Sequence, residues 1–125
     1  MKKTRVTALA KATAAEAESG ERKRDAIDRT AAANLAYRQM KESAFRAFVA
    51  CHNLYRINSL GAKARPAYMR LREREWAEKE AALPLLLEVC NREALNYYYW
   101  HNEHGYAKII LERLQRGKPV PRIAG

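Results

Sequence analysis

The residues that interrupt regular structure are scarce in this sequence. Five glycines and four prolines in 125 residues are too few for the turns of a many-stranded sandwich or barrel. Two cysteines, Cys51 and Cys90, do not build the disulfide framework of a small secreted domain and point to a reducing compartment. The longest uncharged apolar stretch, Ala81 to Leu87, falls far short of the roughly 20 residues that cross a bilayer. No apolar core of a secretory signal follows the first lysines.

Signatures of catalysis are scarce too. There is no glycine-rich phosphate loop, no CxxC pair and no serine in an elbow context. The run His101-Asn102-Glu103-His104 spaces its histidines three apart beside Gly105. A zinc-binding helix needs ligands four apart and a third from elsewhere. The run is therefore expected to be a polar helix end, with His and Asn bonding the last carbonyls. Cys51 and His52 are neighbours and point in different directions on a helix, which disfavours a nucleophile–base pair. Both cysteines read as small buried hydrophobes. The expectation is a protein that is not an enzyme, with no catalytic residue, no metal ligand and no cofactor of its own.

What the sequence does contain is alanine and positive charge. Hydrophobic residues make up 48% and charged residues 30%, a globular balance rather than a disordered one. There are 23 alanines, concentrated in the first two thirds, and alanine is the strongest helix former. The net charge of +10 is uneven: +3 over residues 1–29, +6 over 30–75, −3 over 76–104 and +4 over 105–125. Such a distribution predicts an electropositive face that attracts RNA, anionic lipid or an acidic protein.

The expected fold is all-α: three to four helices in a small antiparallel bundle, with a basic N-terminal arm. Residues 1–29 read as that arm, Ala-rich and with no acid before Glu16. This is the composition of either an organellar targeting segment or a solvated extension. Ser19-Gly20 is expected to interrupt any helix there. Residues 30–117 read as the helical domain and 118–125 as a tail, with no internal repeat of fixed period. A first long helix is predicted from Thr30 to Leu60, with Phe45, Phe48, Val49, His52, Tyr55 and Arg56 on one face. Gly61 is expected to close it in the left-handed conformation. A second helix is predicted from Pro66 to Leu83, with Met69, Trp76 and Leu83 seven apart and a break or kink at Pro84. The third carries Leu86, Val89, Cys90, Ala94 and Tyr97 on one stripe. Gly105 separates it from a short fourth helix closed by Gly117 and Pro119.

Two features stand out as interaction surfaces. Arg56, Lys63, Arg65, Arg70, Arg72 and Arg74 cluster among Tyr55, Tyr68 and Trp76, a mixture that suits phosphates and bases. Glu73, Glu75, Glu78 and Glu80 interleave with them and suit a solvated helix or a protein partner instead. The run Tyr97-Tyr98-Tyr99-Trp100 is aromatic all the way round. The core accounts for Tyr97 but not for four aromatics in succession, which leaves a partner surface for the rest of the run.

At Leu54-Tyr55-Arg56 the sequence resembles the LYR-motif family of small mitochondrial proteins, accessory subunits of respiratory complex I and assembly factors. Met69-Arg70-Leu71-Arg72-Glu73-Arg74-Glu75-Trp76 stands where that family has its arginine-rich second helix, with Trp76 in place of a phenylalanine. Leu85 to Val89 and Ala94-Leu95 stand where it has its leucine-rich third. The resemblance covers about Phe48 to Trp100, and the tripeptide lies deeper in the chain than is usual for the family. It implies a structural or accessory subunit of a large mitochondrial assembly, matrix-side or associated with the inner membrane. It also implies binding of acyl carrier protein, with Tyr55 and Arg56 against its acidic helix and phosphate and Arg70 and Arg74 as auxiliary cations. Phe48, Leu86 and Val89 would then line a tunnel for the acyl-phosphopantetheine. The partner-binding residues expected on these grounds are Leu54, Tyr55, Arg56, Arg70, Arg74, Trp76, Tyr98, Tyr99 and Trp100. The alternatives are an RNA-contacting subunit of a ribosome or other ribonucleoprotein, and a viral or phage structural protein.

Overall fold

The computed structural model describes residues 2–120 and the side chains of residues 4–120. Among the described residues the chain is all-α, with three helices in the order α1 (Lys2–Cys51), α2 (Leu54–Ser59) and α3 (Ala64–Gln115). It divides into two compact units, residues 1–30 with 93–125 and residues 31–92. Both α1 and α3 contribute to each unit.

Within the first unit the two helical segments run antiparallel. Glu16 meets His104, Arg22 lies over Trp100, and Arg29 and Thr30 meet Glu93. Within the second unit they are antiparallel as well, with Lys79 bonded to Ser43 and Trp76 packed on Phe48.

Burial follows an alternating three- and four-residue spacing on both helices. On α1 it runs through Ala12, Glu16, Ser19, Lys23, Ala26 and Thr30 in the first unit, then Ala33, Tyr37, Met40, Ala44, Ala47 and Cys51 in the second. On α3 it runs through Met69, Arg72, Trp76, Lys79, Leu83, Leu86 and Cys90 in the second unit, then Glu93, Tyr97, Trp100, His104, Ala107, Leu111 and Leu114 in the first. This is the 3.5-residue repeat of a coiled-coil seam. It escapes a reading by hydrophobicity because charged side chains and alanines hold many of its positions.

The seam corrects the predicted core of the first long helix. The side chains inside are the small ones, Ala44, Ala47 and Cys51, whereas Phe45 is 65% exposed and Phe48 and Val49 also reach the surface. Small side chains on α1 let two helices pack closely, and in this stretch the large Trp76 of α3 stands on the facing helix, edge-on to Phe48.

Helix boundaries differ from expectation in the same sense: breaks predicted from single residues are absent. Ser19 and Gly20 sit inside α1, both buried, with Ser19 Oγ bonded to the Glu16 carbonyl. Residues 4–29 are therefore helix, packed against the segment after Glu93. Pro84 lies inside α3, and both Pro84 and Glu80 are exposed. The carbonyl that proline leaves without a partner therefore faces water. Gly105 also continues α3, which merges the expected second, third and fourth helices into one.

A break appears instead at His52-Asn53. Asn53 takes an extended conformation, and its side chain accepts a hydrogen bond from the Arg56 backbone N–H at 3.2 Å, capping α2. Asparagine competes with the helix for backbone donors in this way. Leu60, in an extended conformation, ends α2, and Gly61 does not adopt positive φ. Among the described residues the glycine that does is Gly117 at φ 68°. It closes α3 with two bonds, Gly117 N–H to the Leu114 carbonyl and Lys118 N–H to the Arg113 carbonyl, the 5→2 and 6→1 pattern of a Schellman cap. Of the expected tail, residues 121–125 lie outside the described residues.

Candidate interaction site

The end of the second unit, where α1, α2 and α3 meet, gathers cations without acids. From Ser43 to Arg72 the sequence has six arginines and lysines and no aspartate or glutamate. Asn53 starts α2 so that Ile57 turns inward, buried, and anchors the short helix. Leu54 and Tyr55 are left outside, 71% and 85% exposed, with Arg56 exposed beside them. Arg56 thus reaches solvent at a helix start and does not share a buried face with Phe48 and His52. Lys63 in the linker and Arg65 in the first turn of α3 are exposed, and Arg65 donates to the Leu60 carbonyl at 3.3 Å. One and two turns further along α3, Arg70 and Arg74 also face water.

Arg72 lies on the seam side of the same helix. Its guanidinium stands 5.1 Å over the Tyr68 ring and 2.9 Å from Glu75. Tyr68 and then Glu75 favour its charged form and push its pKa further above the ordinary arginine value. Glu75 is thereby engaged with Arg72, while Lys79, four residues on, bonds Ser43 Oγ at 2.6 Å.

The other expected contact residues separate into two environments. Trp76 is half-buried on the seam of the second unit, edge-on to Phe48 at 5.2 Å and to His52 at 5.3 Å. Phe48 belongs to this surface cluster, while Leu86 and Val89 lie half-buried further along α3. In the first unit Trp100 is half-buried under the Arg22 guanidinium, 5.6 Å from its ring. Tyr98 and Tyr99 are exposed and Tyr97 is half-buried, as the all-round aromatic run requires.

His104 is not at a helix end. Its Nε2 lies 3.0 Å from Glu16 Oε1, across the first unit. Cys51 and Cys90 are free and buried, and His52 is exposed. Among the described residues no three His, Cys, Asp or Glu side chains converge as a metal site. No described helix is long and apolar enough to cross a membrane.

The sequence groups Lys63 and Arg65 with Arg56, and all three stand exposed at this end. Sequence reasoning missed the inward Ile57, whose burial is set by the asparagine cap four residues earlier. No known protein family, curated protein or solved structure matches the chain.

Proposed function

We propose that this protein is a non-enzymatic component of a larger assembly, and that the basic end of its second unit docks an acidic partner protein. The observation that carries this reading is Leu54-Tyr55-Arg56 standing exposed within a segment of six cations and no acids. Tyrosine and arginine are the residues that most often dominate interface energetics. Cations around them speed encounter with an acidic surface and select against basic ones. In the LYR-type form of this proposal the assembly is mitochondrial, with respiratory complex I as one candidate, and the acidic partner is acyl carrier protein.

Pull-down of purified acyl carrier protein by wild type, Arg56→Ala and Arg56→Glu tests the LYR-type form directly. Recovery is expected to fall in the alanine variant and further in the glutamate variant, with helix content unchanged by circular dichroism. Equal recovery with all three removes the LYR-type form.

A second reading has support from Tyr55, since an exposed aromatic among cations also suits a stacked base between phosphates. Salt separates the two. RNA binding through several cations weakens log-linearly and steeply with salt, whereas a protein interface with an apolar centre at Leu54 and Tyr55 retains most of its affinity.

A further inference from the structure

We propose that the first unit pairs with a second copy of itself through the outer face of α3, about a two-fold axis passing at Asn102. In that part of α3 the seam residues Tyr97, Trp100, His104, Ala107 and Leu111 occupy one side. At 100° per residue the opposite side carries Leu95, Tyr98, Tyr99, Asn102, Gly105, Tyr106 and Ile109. Leu95 and Tyr98 are 70% and 61% exposed, and Tyr99, Tyr106 and Ile109 are each about half exposed. A contiguous apolar strip of this kind marks an interface.

Its matched side chains point to the occupant. Read outward from Asn102, the strip has a residue three away on each side, then one four away, then one seven away. These are Tyr99 and Gly105, Tyr98 and Tyr106, and Leu95 and Ile109. Every helix face has this spacing in both directions, but here the residues at matched positions also suit one another in size and polarity. An antiparallel copy of the helix therefore sets Leu95 against Ile109, Tyr98 against Tyr106, and the Tyr99 ring over the bare Gly105 of the other copy. A Cβ on Gly105 would meet nothing within 4 Å in the single chain, so the space is open to such a ring. Asn102 meets its own copy at the centre, where paired side-chain amides bond each other and fix the register. This self-complementarity is what an isologous two-fold contact demands.

Charge and area agree. The charged residues from Tyr97 to Ile109 are Glu103 and Lys108. The two-fold sets Glu103 towards His101 and Lys108 towards Asn96, so no like charges meet. A chain of net charge +10 can approach its own copy here with little repulsion. Five large side chains, each covering on the order of 100 Å² per copy, bury about 1,000 Å² in all, near the lower limit of a specific interface.

Two measurements on the full chain test the pairing. Wild type is expected to sediment as a dimer at about 100 µM, the micromolar range of a small interface. Tyr98→Glu with Tyr106→Glu is expected to be monomeric there, with unchanged helix content. In a background of Cys51→Ala and Cys90→Ala, Asn102→Cys should oxidise readily to a covalent dimer, because the axis brings that position against itself. Thr13→Cys, exposed on α1 of the same unit, should not. A monomeric wild type at about 100 µM overturns the proposal, since even a micromolar interface would be populated there. Equal cross-linking at positions 13 and 102 overturns it as well.

Discussion

His104 lies across the bare Cα of Gly20, its Nε2 3.0 Å from the point where a Cβ would stand. The same nitrogen is 3.0 Å from Glu16 Oε1, and the His104 side chain is 12% exposed. The glycine thus makes room for a polar pair inside the seam. Gly20→Ala exchanges a helix-propensity gain of about 1 kcal/mol for a close contact in which His104 must give by a few tenths of an ångström, against its bond to Glu16. A lower thermal midpoint is expected. In a His104→Ala background the same substitution should raise stability by about 1 kcal/mol. Additive effects in this double-mutant cycle would show that the close approach has no energetic weight.

Glu93 is buried, and its Oε1 accepts from Arg29 Nη2 at 3.0 Å while Oε2 has no hydrogen-bond partner. Arg29→Ala leaves that carboxylate in the seam with neither oxygen satisfied by an arginine. A loss of about 1–3 kcal/mol in denaturant unfolding is expected. Glu93→Gln in the Arg29→Ala background should recover part of it, because the uncompensated charge is gone.

Gly117 holds φ 68° in the cap of α3, 3.6 Å from Arg5 Nη2 when a Cβ is added. Gly117→Ala has space but the wrong backbone preference, and should cost about 1–2 kcal/mol. Gly105→Ala, mid-helix and unobstructed, should instead stabilise the single chain by about 1 kcal/mol. Thermal melts of the two variants, run well below the concentration at which the chain pairs, should move in opposite directions.

Pro84→Ala restores an amide donor towards the Glu80 carbonyl inside α3. Because the site is exposed, nothing in the packing opposes the change, and a gain of up to about 3 kcal/mol is expected. A neutral result would mean that α3 already relaxes around the proline.

Arg56 is exposed in α2 and makes no side-chain bond that the fold depends on. Arg56→Ala should shift unfolding by less than about 1 kcal/mol. Any loss of partner binding by that variant is then a surface effect.

Helicity was legible in the chain itself, because few glycines and prolines punctuate a run rich in alanine. So were the charge asymmetry and the division of the aromatic run, in which Tyr98 and Tyr99 had no core to enter. The acid-free stretch around Leu54-Tyr55-Arg56 was equally plain, and its exposure follows from the asparagine before it. What the tertiary structure alone decided is which stripe is buried and where helices stop. Phe45 and Val49 look like core by hydrophobicity, yet Ala44 and Ala47 take the seam, because close approach of two helices favours small side chains over large ones. Gly20, Pro84 and Gly105 look like breaks, yet each costs only about 1–3 kcal/mol locally. Packing along the α1 and α3 segments of each unit outweighs that cost, since helices in proteins draw most of their stability from the face they bury.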